Sequence, residues 1–599
     1  MPRFRSIHPL VSTLAVGAAV AGTPAIADAC GGMFCDAPPP DGLPMPVDQT
    51  GENILFTIGG GFVEAHVQIE YAADDDTQRF AWIVPVPEVP EIEVGSARLL
   101  DNTLDATVPI YGFETQSSCA DPDDGGAPQT SGIGFIEMPD GGGASGEEPT
   151  VAANGVVGAF EYVVLEGGTA DTVMAWLADN DYAEDDEAPD ILQEYLDEGH
   201  VFVAFRLDQS EGLDDLHPVV IRYPGTEPCI PLRLTRVAAQ EDMDVRALVF
   251  GEARAFPVNY DHVQLNRVRL DWSNTGANYK ELVTGAVDEA GGRAFVTEYA
   301  GDSELIANDN LDTSMLDADV FESLDAMDVV DALRDQGLLA CSGECLPQHE
   351  LILGLLTNYL PPPPGIAPED FYACMECYRA LVDVSQWDGV AFAADFRERI
   401  VDPMNRATEL LTTWPYVTRL YTTISPHEML SDPTFAEVEG LPDVAFRHGG
   451  LRDSGCCDTT MRLPGGREVI LGTGNSWPVW GNAMPWAERI SEYQPDGPPA
   501  ELSDRSNEID ALLADYNAAA ACPNPGGGGT TGGDGMGTDG GLSSTTGGTG
   551  GGDGTDGQSQ GQDAGQDDVT SGCSCRSSGP SAGALMLFVL GLVSGRRRP

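Results

Sequence analysis

The chain has 599 residues and a formal net charge of −66, from 30 Lys+Arg against 96 Asp+Glu. A field of that sign repels nucleic acid and anionic membrane surfaces, which excludes both as partners; it suits divalent cations, salty surroundings or plain solubility. Length is enough for two or three sizeable cores once the end segments are set aside.

Met1 to Ala29 reads as a secretion signal. Arg3 and Arg5 form its positive start, Leu10 to Val20 its short apolar region, and Ala25-Ile26-Ala27 and Ala27-Asp28-Ala29 two small-x-small cleavage sites. Cleavage after Ala29 would place Cys30 first, as in a bacterial lipoprotein. Asp28 departs from the apolar pattern of lipid signals, so ordinary cleavage is the reading adopted. In an exported chain thirteen cysteines read first as disulfides. With Cys573 and Cys575 set aside the remainder is odd in number, so at least one is free, intermolecular or modified. Cys30 and Cys35 flank a glycine-bearing loop and are candidates for a local disulfide.

A strand-rich region follows. Ile54 to Ile58 is an apolar run, and Val63, Ala65, Val67, Ile69 and Tyr71 alternate with Glu64, His66, Gln68 and Glu70. This is the period-two pattern of a half-buried strand, with His66 on its polar face as a solvated side chain. Phe80 to Val84 is the next strand, and Pro85 and Pro87 place its end at a sheet edge.

The motifs Cys30-Gly-Gly-x-Phe-Cys35, Val47-Asp48-Gln49-Thr50, Glu52-Asn53-Ile54-Leu55-Phe56, Ala65-His66-Val67-Gln68-Ile69 and Phe80-Ala81-Trp82-Ile83-Val84-Pro85-Val86-Pro87 stand in this order. They resemble domain of unknown function 2330, a family common among myxobacterial surface proteins. Thr418-Arg419-Leu420-Tyr421-Thr422-Thr423 and the segment from Ser425 to Phe435 also look family-like. The resemblance implies surface location and supplies no reaction, hence no catalytic residues.

Asp121 to Glu148, rich in Gly, Asp, Ser and Pro, reads as a surface loop. Strands are expected at Val156 to Leu165, His200 to Arg206, Val219 to Tyr223, Arg246 to Phe250 and Val263 to Leu270, punctuated by short helices. Composition shifts after Ser303. Val320, Leu324, Met327, Val330 and Leu333 recur at spacings of three and four, which predicts an amphipathic helix over Asp317 to Leu339. Cys341-x3-Cys345 and Cys374-x2-Cys377 then flank helices expected over Glu350 to Tyr359 and Glu369 to Val382. These cysteines fit two disulfides, the reading preferred in an oxidising compartment, or a tetrahedral zinc site. Arg397 to Thr412 continues helical, and Asp432 to Gln494 reads as turn-rich β structure. The adjacent Cys456 and Cys457 are expected to pair elsewhere rather than with each other. With His427 and His448 they form the one constellation weighed as a metal site. Trp477, Trp480 and Trp486 suit either core filling or a carbohydrate platform.

Enzyme signatures are missing. Four residues after His349-Glu350 and His427-Glu428 stand Leu353 and Ser431, so neither completes a zinc-protease motif. Gly474-Asn475-Ser476-Trp477-Pro478 lacks the closing glycine of a nucleophile elbow, and Lys280, the sole lysine, belongs to no phosphate loop.

Residues 523–572 are low complexity, and the expectation is a disordered tether. The last stretch runs from Cys573 and Cys575 to Arg596, Arg597 and Arg598. Between Arg576 and Arg596 lie about 19 uncharged residues, roughly 28 Å as helix, enough to reach across a bilayer core. The cations then hold that end on the cytoplasmic side. The order Gly572-Cys573-x-Cys575, Gly579-Pro580-x-Ala582-Gly583, apolar helix and arginine cluster resembles the MYXO-CTERM sorting signal. That resemblance implies a membrane-embedded sorting protease as partner and lipid attachment at Cys573 or Cys575.

The expected fold is α+β: a signal peptide (1–29), a strand-rich mixed domain (30–302), a mainly helical cysteine-rich region with a small β segment (303–522), the tether (523–572) and the hydrophobic tail (573–599). The leading functional reading is a non-enzymatic, surface-anchored structural or interaction protein with an unidentified extracellular partner and no cofactor. A metal-dependent extracellular enzyme and a glycan-binding surface protein are the alternatives.

Overall fold

The computed structural model describes residues 33–35, 47–73, 80–118, 150–178, 188–207, 217–236, 239–455 and 457–522. The segments expected as signal peptide, as the Asp121 to Glu148 loop and as tether, the C-terminal tail with Cys573, Cys575, Arg596, Arg597 and Arg598, and also Cys30, Cys119 and Cys456, lie outside them. Among the described residues no helix is long and apolar enough to cross a membrane.

The fold is α+β and is built around a ten-stranded sheet. In spatial order its strands are Ala500–Asp504, Ala487–Glu492, Asp261–Leu265, Ala294–Asp302, Tyr416–Ile424, Ala239–Gly251, Val47–Gly59, Phe62–Ala73, Val219–Pro224 and Glu91–Val94. Most neighbours are antiparallel, but Ala239–Gly251 runs parallel to Val47–Gly59, and Asp261–Leu265 parallel to Ala294–Asp302. The central strand Tyr416–Ile424 is buried from Val417 onward, as a strand covered on both faces must be. It comes from beyond the composition shift at residue 303, so one sheet is shared by the two sequence regions on either side of it.

Alternation along the strands sets the two faces. Ile54, Phe56, Val63, Ala65, Val67, Val219, Ile221, Val245 and Val249 point one way, into a core closed by a five-stranded sheet. That second sheet has the order Met33–Cys35, Phe80–Val86, Val201–Leu207, Phe160–Glu166, Thr150–Val157. It contributes Val84, Val86, Val203, Phe205, Phe160 and Val164 to the shared core, while Ile83, Phe202 and Ala204 face helices Ala170–Ala178 and Ala188–Asp197. On the far side of the ten-stranded sheet Leu55, Leu248, Phe250 and Val417 pack against the helical region, including Ile352–Tyr359, Gly389–Phe396 and Asp402–Thr413.

Three expectations change. His66 is not solvated: it is 2% exposed and its Nε2 lies 2.9 Å from Glu64 Oε1. The polar face of its strand is covered by helix Asp402–Thr413, whose Arg406 donates from Nε to Glu64 Oε1 at 3.0 Å and makes a second contact through Nη2. Burial raises the Glu64 pKa, but the bonds from His66 and Arg406 outweigh it and hold the group at about 2.

The helix expected over Asp317 to Leu339 is instead broken into turns Ala318–Ser323 and Ala326–Asp328, helix Val329–Asp335 and a strand starting at Leu339. Asp317 and Asp325 are the reason, because each carboxylate caps a new turn by accepting a main-chain N–H, from Asp319 and Met327. Likewise Glu369 to Val382 is two short helices, Pro368–Ala373 and Met375–Tyr378, separated by non-helical backbone at Cys374.

Cysteine chemistry is local. Cys341 bonds to Cys345 across the hairpin Leu339–Cys341/Cys345–Pro347, and Cys374 to Cys377 across the helix break. Their sulfurs are therefore not available to a zinc ion. Cys457 bonds to Cys522, tying the C-terminal helix Ser506–Ala520 back to the β segment. Such bonds persist in an oxidising, extracellular kind of environment.

Candidate functional site

Between the two sheets the core is incompletely filled. A cavity of about 600 Å³ opens there, with a mainly apolar lining that includes Ile54, Phe56, Ala65, Val67, Trp82, Val84, Val86 and Ile221. That volume lies in the range of small-molecule sites. One end is polar and is formed by Glu52, Tyr195, Tyr223, Cys229, Arg233 and Asp432.

Each polar group arrives by a separate route. Glu52 stands on Val47–Gly59 in phase with Ile54 and Phe56, so strand alternation carries its carboxyl into the apolar space. Tyr195 comes from helix Ala188–Asp197 and Arg233 from the short helix Leu232–Thr235. Asp432 belongs to the loop after the central strand. Its carboxylate accepts from Tyr195 Oη at 3.0 and 2.8 Å, from the Arg233 main-chain N–H at 2.9 Å and from Arg233 Nε at 2.9 Å. Arg233 also lies over the Tyr195 ring, 4.2 Å from its centroid, and donates outward to Glu198 at 2.9 and 2.6 Å. The Arg233–Asp432 pair is fully hydrogen-bonded, as a buried ion pair has to be, while Glu198 and Glu194 on its outer side leave the array with an excess of negative charge.

Glu52 is different. It is 7% exposed, and its Oε2 has no hydrogen-bond partner among the described residues. Burial, followed by the nearby Asp432, raises its pKa from 4.5 to about 7. Near neutrality the group is substantially protonated and is a hydrogen-bond donor inside an apolar chamber. Burial also lifts Asp432, against the opposing bonds from Arg233 and Tyr195. Cys229 is a free thiol lining the cavity, and burial followed by Asp432 pushes it well above its usual 9.0. A thiol held neutral in this way is a poor nucleophile.

The Glu52 shift has a pH consequence with a definite sign. In the unfolded chain the carboxyl ionises near 4.5, in the folded one near 7, so the folded state holds the extra proton between those values. Stability then falls as pH rises through that window, by up to about 3 kcal/mol. Glu52→Gln keeps the shape and cannot ionise. Urea unfolding at pH 4.5 and pH 8 is expected to show that decline in the parent and a flatter profile in the variant.

The residues singled out in the sequence do not converge on this cavity. Cys457 is in a disulfide, His427 is 73% exposed at its side chain with Glu241 Oε2 3.9 Å away, and His448 is buried elsewhere. Cys456, the fourth member of the metal constellation, lies outside the described residues; among the described residues no group of three His, Cys, Asp or Glu could hold a metal. The three tryptophans offer no platform either. Trp477 and Trp480 donate their indole N–H to Val268 O at 3.1 and 2.8 Å, and the half-buried Trp486 stacks under Arg269. One signal for the cavity does exist in the sequence: a carboxyl, Glu52, in phase with inward-facing apolar residues.

Fold and cavity together define an α+β protein with two stacked sheets enclosing a ligand-sized apolar chamber. Residues 24–311 match the model of a family described as an uncharacterized protein conserved in bacteria (DUF2330). No curated protein and no solved structure matches the chain. Most of the cavity wall lies inside the matched span, whereas Asp432, the anchor of its polar end, lies outside it.

Proposed function

We propose that the chain is an exported, cell-surface-anchored, non-enzymatic protein that carries a neutral apolar molecule bearing a carbonyl or hydroxyl group. The observation that carries this reading is the apolar inter-sheet cavity with the buried Glu52 carboxyl at its polar end, its Oε2 without a hydrogen-bond partner among the described residues and its pKa raised by burial toward neutrality. Leaving such a donor unmatched costs about 1–3 kcal/mol, which an acceptor on a ligand recovers. A neutral ligand is favoured because Asp432 and the outer Glu198 oppose an anionic head. Cys229, the one thiol in the cavity, is held protonated and so supports carriage rather than covalent chemistry.

Anchoring rests on the tail. A sorting signal of the MYXO-CTERM type at Cys573 to Pro599, processed by a sorting protease, would hold the protein at the outer envelope. Serine at both Cys573 and Cys575 is expected to abolish surface display; unchanged display and processing would contradict the anchoring.

Binding is tested with Nile red, a neutral dye with a carbonyl acceptor, titrated into the full chain. Saturable blue-shifted fluorescence is expected. Ala65→Phe, which fills the chamber from its floor, is expected to weaken uptake about tenfold or more while leaving thermal unfolding intact. Glu52→Leu removes the donor without filling the space and is expected to shift the emission further to the blue. A hydrolase activity of the purified protein that one point change abolishes would contradict the non-enzymatic reading.

A further inference from the structure

A second cavity, of about 670 Å³, lies toward the other end of the ten-stranded sheet and shares no lining residue with the first. Its wall is half polar in character and includes Arg254, Arg267 and Arg489, together with His262 and His448. That is an unusual concentration in a chain with 30 basic residues against 96 acidic ones.

Of the carboxylates around it, Glu298 and Glu501 lie beside other arginines, whereas Asp443 is bonded to a neutral hydroxyl and its charge acts on Arg254. Glu298 accepts from Arg419 Nε at 2.5 Å, Asp443 accepts from the Tyr416 hydroxyl at 2.8 Å, and Glu501 and Asp504 flank Arg489 at 3.9 and 3.2 Å. Arg254 and Arg267 form no ion pair among the described residues. Arg254 is 8% exposed; it donates from Nη1 to Pro442 O at 3.0 Å and from Nη2 to Thr297 Oγ1 at 2.9 Å, and its buried Nε has no partner. Neither histidine adds positive charge. Burial first, and Arg254 second, push His262 down to about 3; burial first, and Arg267 second, push His448 down to about 4. Each imidazole is stacked on an aromatic ring, His262 on Phe256 and His448 on Tyr111, both with centroids 5.0 Å apart.

We propose that this second cavity binds a small organic oxyanion, with its carboxylate or phosphate head between Arg254 and Arg267 and its body against Phe256 and Tyr111. Guanidinium groups match either head through paired N–H donors; among the described residues Arg267 has no ion-pair partner and Arg254 has only the non-contacting charge of Asp443, so such a ligand would supply the direct counter-charge that both lack. The acidic surface does not prevent this. At physiological salt its field decays over about 8 Å, while the head would lie in direct contact with the arginines.

The test is calorimetric titration of the full chain with inorganic phosphate and, separately, with benzoate, which distinguishes the two kinds of head. Saturable binding of at least one anion is expected. Arg267→Gln removes a side chain with no hydrogen bond or ion pair among the described residues and is expected to weaken it about tenfold or more. Arg254→Gln is expected to do the same, with melting temperature recorded because the native side chain also holds Pro442 and Thr297. Arg334→Gln removes an exposed arginine paired to Asp331 and controls for net charge. The proposal is overturned if neither anion saturates, or if Arg267→Gln changes binding no more than Arg334→Gln does.

Discussion

Arg419→Leu is expected to destabilise the protein by about 3–5 kcal/mol, because it strands a carboxylate inside the sheet. Arg419 lies on the central strand and Glu298 on its neighbour; their side chains are 6% and 2% exposed. A break in register between Thr297 and Tyr299 makes Glu298 the extra residue of a bulge, the device by which a strand re-aims one side chain. Arg419 also donates from Nη1 to Leu104 O at 2.7 Å, closing the last turn of helix Ala97–Thr107. Leucine removes both contacts and leaves Glu298 with a charge and no cation. Replacing both residues by leucine removes the stranded charge as well, so the double variant is expected to be more stable than Arg419→Leu alone. Urea midpoints with unchanged slopes measure both effects. A single variant within about 1 kcal/mol of the parent would show that the pair contributes little.

Gly158→Ala is expected to cost about 4 kcal/mol and to loosen the five-stranded sheet from the ten-stranded one. Gly158 turns the hairpin between Thr150–Val157 and Phe160–Glu166 with φ of 55°, in the left-handed region that costs an alanine about 1–2 kcal/mol. A Cβ there would also lie 1.8 Å from His217 Nε2. That nitrogen accepts the Ala159 main-chain N–H at 3.0 Å, and the Gly158 carbonyl accepts from Arg399 Nη2 at 2.8 Å. The turn is thus clamped by the segment leading into Val219–Pro224 on one side and by the helical region on the other. Displacing the imidazole orphans a buried N–H in addition to the backbone strain. His217→Ala added to Gly158→Ala is expected to relieve the clash but not the lost bond. Hydrogen exchange across Phe160–Glu166 reads out the loosening, and unchanged protection in Gly158→Ala would contradict the clamp.

Local patterning was readable in the sequence wherever its cause is local. The alternation from Val63 to Tyr71 marks a real strand, and Val63, Ala65 and Val67 face inward as expected. What covers the other face was not readable, since Arg406 reaches Glu64 from 342 residues further along the chain. The three-and-four spacing after Ser303 is genuine, yet two aspartates that cap turns override it. The shift in composition at that point does not mark the edge of the sheet, because pairing brings Tyr416–Ile424 between Ala239–Gly251 and Ala294–Asp302. Non-local pairing leaves no periodic trace in sequence. The same holds for both cavities: Glu52, Tyr195, Arg233 and Asp432 meet from four separate segments, and only the phase of Glu52 hints at it.

The central claim is that the inter-sheet chamber carries a neutral apolar molecule, and native mass spectrometry of the full chain recovered from its own envelope tests it most directly. A co-purifying neutral species held by the parent protein and absent from Ala65→Phe is the predicted result. A parent that emerges with nothing bound and also fails to take up Nile red, or a species retained equally by Ala65→Phe, would contradict it.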